Sequence, residues 1–165
     1  MDVVTFDDFV RPLDYPTFVL TVPAGPGGDR SGCLIGFATQ CSISPPRLLV
    51  CLSKENHTYR SAARVRVAAV HRLAASDHDL AELFGEQTGD EIDKFARCAW
   101  TEGPGGVPLL SRCPAVLVGD IEDRADLGDH EGLLLRPTHV WQREPVPPLM
   151  FSAVRDLDAG HPADG

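Results

Sequence analysis

The 165-residue chain contains no run of about 18 consecutive apolar residues, so no segment reads as a membrane-spanning helix. It has no C-x-x-C pair, and its five cysteines (Cys33, Cys41, Cys51, Cys98 and Cys113) are odd in number and widely spaced. Zinc sites need paired short spacings, so buried, reduced thiols are expected and no metal. No G-x-G-x-x-G follows a strand pattern, and no G-x-x-x-x-G-K-[ST], G-x-S-x-G or H-E-x-x-H occurs. Rossmann, P-loop, serine-hydrolase and zinc-peptidase chemistry are therefore unsupported. The opening MDVVTFDDFV is acidic where a secretory leader is basic, and a cytoplasmic location is expected.

What is present fits one soluble globular domain, with 43% apolar and 24% charged residues. A chain of this length buries roughly 68–70% of its unfolded surface and needs no disulfide or metal to fold. The net charge of −9 argues against nucleic acid as the main partner. The charge is unevenly spread. Residues 47–72 hold six basic side chains (Arg47, Lys54, Arg60, Arg64, Arg66, Arg72) and one acid, Glu55. A basic island in an acidic chain reads either as an anion site or as a solvated helix face.

The most informative stretch is GCLIGFATQCSISPPRLLVCLS, residues 32–53. It reads as a strand over about 33–39, a Ser44-Pro45-Pro46 corner, and a second strand over 48–53 with both faces buried. Thr39, Gln40, Cys41 and Ser42 make a small polar lip above an apolar floor, which suits a flat apolar ligand with polar edges. Further strands are expected at 16–22, 65–73, 114–123 and 131–141, the last interrupted at Pro137. Asn56 is placed to cap a short helix over 57–64. Ser76 is placed to cap another over 76–85, ended by Gly85. Thr88 and Glu91 have capping-box spacing ahead of an apolar stripe of Ile92, Phe95, Ala96 and Ala99. The segments 24–32 and 102–108 read as Gly/Pro loops. The tail 156–165 is expected to be disordered, leaving a domain over 1–155. Strands this frequent, with few helices between them, predict a mainly β fold, a small closed or partly closed barrel with short helices.

Several ordered motifs then carry a resemblance. They are Ser42-Ile43-Ser44-Pro45-Pro46, the strand Leu48–Leu52 with Ser53-Lys54, Asn56-His57-Thr58, Lys94-Phe95, Gly106–Leu110 and Gly128-Asp129-His130. Over roughly residues 10–150 the chain resembles the flavin reductase-like group of FMN-binding split-barrel proteins. The resemblance implies a homodimer with FMN near the subunit interface and NADH or NADPH as co-substrate. It also implies a possible monooxygenase partner that receives reduced flavin. By position it puts the flavin ring along Phe37, Ala38, Thr39, Gln40, Cys41 and Ser42. Ser53, Lys54, His57 and Thr58 then lie near the ribityl chain and phosphate.

Lys54 independently suits phosphate as a flexible point charge, and Asn56-His57-Thr58 would begin a helix. Thr58 is open to a second reading as a helix-start residue, and His57 as a surface residue. The resemblance puts Asp129 and His130 on the nicotinamide side, with His130 as the group that orients a ring edge and Asp129 fixing its tautomer. The other reading of that pair is a strand-start turn. His71, His78, His139 and His161 show no partner pattern. The chain departs from its relatives at Leu34-Ile35-Gly36, where they commonly carry Thr-Ala-Ser, and at Leu135 and Pro137, where they carry Gly and Val. The expected function is an FMN-dependent NAD(P)H:flavin reductase. The alternatives are an FMN carrier or electron-transfer protein without steady turnover, and a barrel holding a deazaflavin.

Overall fold

A run of β-branched and apolar residues, cut by Gly and Pro, yields the expected mainly β architecture. The computed structural model describes residues 1–86, 92–143 and 145–157. Seven strands make one antiparallel sheet: β1 (Phe18–Val22), β2 (Ser31–Ile35), β3 (Ala38–Ser42), β4 (Arg47–Ser53), β5 (Val67–Arg72), β8 (Ala115–Asp126) and β9 (His130–Gln142). Their order is β2-β1-β5-β8-β9-β4-β3. A separate hairpin pairs β6 (Trp100–Glu102) with β7 (Pro108–Leu110). Among the described residues three short α-helices accompany them: α1 (Phe6–Val10), α2 (His57–Ala62) and α3 (His78–Gly85).

β2 and β3 are neighbours in sequence but stand at opposite ends of the sheet. Only Gly36 and Phe37 join them, so the sheet curls until its ends meet. The Cys51 N–H donates to the Phe37 carbonyl at 2.8 Å and extends the β3–β4 ladder up to the crossing.

Strand alternation sorts the apolar residues into two cores. Leu20, Val22, Cys33, Ile35, Val50, Leu52, Val70, Leu133 and Leu135 fill the barrel. Val19, Ala69, Leu80, Phe84, Phe95, Val107 and Leu110 form an outer core beneath α3 and the β6–β7 hairpin. Each fully buried leucine of the barrel contributes about 1.5–3 kcal/mol. The outer core is pinned by His71, which is fully buried. Its Nδ1 lies 3.1 Å from the Val19 carbonyl, and its Nε2 accepts the Leu110 N–H at 3.0 Å. Those partners fix a neutral imidazole with the proton on Nδ1. Burial pushes its pKa down to about 4.

Several expectations need correcting. The strand expected over 33–39 breaks at Gly36-Phe37, because the chain there crosses from one sheet end to the other. β4 is not buried on both faces; only Val50 and Leu52 are buried, while β1, β2 and β5 are buried on both faces. The reason is cover, since the β6–β7 hairpin packs on β1 and β5 and α3 on β2, while among the described residues no helix or hairpin packs on β4 to the same extent. The helix expected from Ser76 starts at His78 with Asp77 as its cap residue. Asp77 turns its side chain back to the Ala74 N–H and to Arg112 instead. The stripe around Phe95 is one 3-10 turn, Lys94–Arg97. Thr88 and Glu91 lie outside the described residues. The loop at 102–108 is the turn of the β6–β7 hairpin. The two last strands run longer than expected, with a bulge at Val118/Gly119 that accommodates Pro137. Of the cysteines, all are free thiols, but Cys41 is exposed because β3 is an edge strand. Asn56 does cap α2, accepting from the Thr58 N–H at 2.9 Å. Leu157 still packs on the outer core, and residues 158–165 lie outside the described ones.

Candidate functional site

Because Val50, Leu52, Leu133 and Leu135 point into the barrel, their neighbours point out. The register sets Leu49 against Leu134, Cys51 against Gly132 and Ser53 against His130. Thr39 of β3 stands beside Leu49. The outer face of β3, β4 and β9 is thus an apolar strip with Thr39, Ser53 and His130 around it. Ile43 and Leu127, at the rim, are 83% and 52% exposed. Gly132 is buried against Leu127 and Leu49, and a Cβ there would meet them at 3.0 and 3.1 Å.

At one end of the strip His130 meets Phe37, their ring centroids 5.4 Å apart. Phe37 is itself 6.2 Å from Tyr15, which stacks on Phe151 at 4.9 Å. Asp129 accepts from His130 Nδ1 at 2.8 Å. The His130 hydrogen bond holds the Asp129 carboxyl below its ordinary pKa. With Nδ1 occupied, Nε2 has no partner among the described residues and is the nitrogen left for a ligand. The Lys54 N–H donates to the Asp129 carbonyl at 3.0 Å, so the end of β4 and the β8–β9 turn hold each other.

The other expected residues are distributed unevenly. The lip of Ala38, Thr39, Gln40, Cys41 and Ser42 lies along the open edge of the sheet. Gln40 donates to the Ser42 carbonyl and Ser42 to the Pro45 carbonyl, closing the corner locally. The Lys54 ammonium is 2.7 Å from Asp126, and that contact raises the pKa of Lys54 and lowers that of Asp126. Thr58 is buried, its hydroxyl 2.8 Å from that of Ser31, so it ties α2 to β2. His57 lines a cleft of about 630 Å3 that includes none of the residues 37–42 and neither Lys54 nor His130. The expected residues therefore form two groups: the strip with Lys54 and His130, and the α2 group with His57 and Thr58.

The basic island is also dispersed. Arg47 pairs with Glu122 at 2.6 Å, and Lys54 with Asp126. Arg60 and Arg64 line the cleft, joined there by Arg30 and Lys94, neither of which the charge pattern singles out. The one signal for that wall was the loop AGPGGDRSG, whose Arg30 follows the glycines that let the backbone open.

The two departures fall away from the strip. Leu135 is fully buried in the barrel, and Pro137 pairs with Gly119 at the bulge. Ile35 is core, Leu34 packs on Gly85 of α3, and Gly36 abuts Phe151, so the exposed face begins at Phe37.

The sequence profile described as the flavin reductase like domain matches residues 11–158. The chain is 34% identical over 112 residues to the FMN reductase (NADH) RutF of Bradyrhizobium diazoefficiens, covering 66% of this chain and 62% of that protein. It is 31% identical over 124 residues to HsaB, the reductase subunit of a flavin-dependent monooxygenase of Rhodococcus jostii, covering 73% and 62%. The chain thus spans about three fifths of the length of these relatives. In fold it is similar to the NADH:FAD oxidoreductase of Streptomyces globisporus, with a TM-score of 0.81 at 24% identity over 93% of this chain and 94% of that one.

Proposed function

The chain belongs to the flavin reductase-like family, and on that premise we propose that it is an FMN-dependent oxidoreductase that draws hydride from NADH or NADPH. The observation that carries the proposal is the half-exposed apolar strip of Leu49, Cys51 and Leu134, with His130 and Phe37 at its end.

The residues present fit a flavin. The strip supplies an apolar bed for a flat ring. β3 is an edge strand, so alternate backbone N–H groups along 38–42 are left to bond a polar ring edge. Lys54 and Ser53, at the end of β4, supply the cation and hydroxyl for a phosphate and its chain. When bound, the isoalloxazine accepts hydride from a nicotinamide, and the protein contributes orientation and electrostatics. His130, its tautomer set by Asp129, presents Nε2 to the edge of the incoming ring. Phe37 gives that ring a surface to stack on and keeps water from one side. His57 and Thr58 act at one remove: the Thr58–Ser31 contact fixes the start of α2, which sets the direction of the chain after Lys54.

The strip is also the natural face for a second copy, since Ile43 and Leu127 extend it with exposed apolar side chains. A homodimer would cover the ring site and bury those groups. Reduced flavin released from it would serve a monooxygenase, in line with the name of the Rhodococcus relative. Five free thiols suit the reducing cytoplasm. The catalytic unit is the single domain over 1–155.

The test is direct. The purified protein is mixed with FMN and NADH, then NADPH, and absorbance at the reduced-nicotinamide band is followed. The expected result is steady oxidation that requires FMN. Flavin binding without turnover on either nucleotide would leave a carrier instead.

A further inference from the structure

The β8–β9 hairpin grips the segment from Ser53 to Val65 at both of its ends. At the first end Ser53 pairs with His130, the Lys54 N–H donates to the Asp129 carbonyl at 3.0 Å, and the Lys54 ammonium reaches Asp126 at 2.7 Å. At the second end the hold is a side chain. Arg124 Nη2 donates to the Ala62 carbonyl at 2.7 Å and to the Val65 carbonyl at 3.1 Å. Its Nη1 donates to Glu131 Oε2 at 3.2 Å. Ala62 closes α2, so its carbonyl is one of those that a helix end leaves over, and the Val65 N–H also reaches it, at 3.3 Å. The planar guanidinium fork takes two chain carbonyls and one carboxylate at once.

The strand register brings these groups together. Arg124 pairs with Leu133, which fills the barrel, and Glu131 lies two residues before Leu133 on the same face. Ala62 is fully buried in the same core. Between the two grips the segment is stiff. The Asn56 N–H donates to the Ser53 carbonyl at 3.1 Å, and the Asn56 side chain caps α2. A movement at Ala62 is therefore carried to Lys54. Glu131, the group that Arg124 holds on the other side, follows His130 in the chain. An exposed ion pair such as Lys54–Asp126 is too weak to fix this spacing alone.

We propose that Arg124 is a positioning residue. By tying the end of α2 to Glu131 it fixes where Lys54 stands relative to His130, and so sets the spacing between the phosphate end and the nicotinamide end of the site. The proposal rests on the flavin reductase reading for the roles of Lys54 and His130.

The test is a double-mutant cycle on FMN affinity, measured by titrating FMN into the full chain, wild type against Arg124→Lys, Lys54→Ala and the two combined. Lysine keeps the charge but lacks the fork that spans both carbonyls and Glu131. Arg124→Lys is expected to weaken FMN about fivefold in the wild-type background and less than about twofold beside Lys54→Ala, because its effect runs through Lys54. Should Arg124→Lys fail to fold, Glu131→Gln leaves both carbonyl bonds in place and runs the same cycle on a milder change, with the same non-additivity expected. Amide exchange over residues 57–65 of the FMN-free protein is expected to quicken in Arg124→Lys, while that of β1 and β5 holds. The proposal is overturned if the two substitutions add, since Arg124 then only stabilises the fold. It is also overturned if the variant binds FMN as the wild type does, or if exchange over 57–65 is unchanged. A Lys54→Ala protein with unaltered FMN affinity removes the phosphate role of Lys54, and the proposal with it. Additive effects beside a damaging Lys54→Ala remove the proposal alone. A non-additive cycle in a protein that never oxidises NADH sustains the proposal and removes the reductase activity.

Discussion

Phe37 and His130 approach to 5.4 Å between ring centroids, at an angle of 53°, although one closes the barrel and the other opens its last strand. The pair therefore assembles only in the folded barrel, at the end of the strip. His130→Ala is expected to lower kcat/KM for NADH about tenfold, the worth of one hydrogen bond made best in the transition state, with FMN affinity nearly unchanged. Stopped-flow reduction alongside an FMN titration checks this. A drop in FMN affinity at unchanged kcat/KM would move His130 from the nicotinamide to the flavin edge.

Lys54 reaches Asp126 at 2.7 Å in the open. An exposed pair of this kind adds little to stability, about 0–1 kcal/mol. Lys54→Ala is therefore expected to leave Tm nearly unchanged but to weaken FMN binding about tenfold, as for one charge-assisted phosphate contact. Asp126→Asn frees the ammonium and is expected to tighten FMN at low salt. Unchanged FMN affinity in both variants removes Lys54 from the phosphate site.

His71 predicts an acid limit to stability. Its folded pKa is about 4, against 6.5 for the free group, so between these values the unfolded chain binds the extra proton. The contribution is complete above pH 6.5 and is lost as pH falls toward 4, on the order of 3 kcal/mol in all. Urea unfolding at steps between pH 7 and 4 measures it. His71→Leu is expected to be less stable at pH 7 by about 2 kcal/mol, since the Leu110 N–H loses its acceptor. It should also unfold with a flatter dependence in that window. A variant with the same pH slope would place the titration elsewhere.

Thr58 tests a structural role against a ligand role. Thr58→Val keeps the shape but leaves the Ser31 hydroxyl unpartnered in a buried site, an expected loss of about 1–3 kcal/mol. If Thr58 acts only through α2, Thr58→Ser restores stability, and FMN affinity changes little in either variant. A large loss of FMN affinity in a stable Thr58→Val protein would put the hydroxyl on the phosphate.

Local chemistry was the legible part of this fold. Asn56 reads as a cap, and it is one. The Pro45-Pro46 corner reads as the turn between two strands, and it is one. Both depend on residues a few positions apart. What stayed hidden depends on residues far apart in sequence. Thr58 is buried because Ser31, 27 positions earlier, comes to meet it. His71 finds its partners 52 and 39 positions away. Lys94 enters the cleft through a carbonyl 62 positions distant. The faces of β4 are illegible in the sequence for the same reason: a single strand carries no mark of which of its sides the rest of the chain will cover.

The crossing at Gly36-Phe37 works as a clasp. The same two residues shut the barrel and begin the surface offered to the cofactor. A ligand seated against Phe37 therefore draws on the free energy of closure, and occupancy adds RT ln(1 + [L]/Kd) to it. Amide exchange along β2 and β3 becomes the natural gauge of occupancy. Those strands lie at the two ends of the sheet, on either side of the clasp.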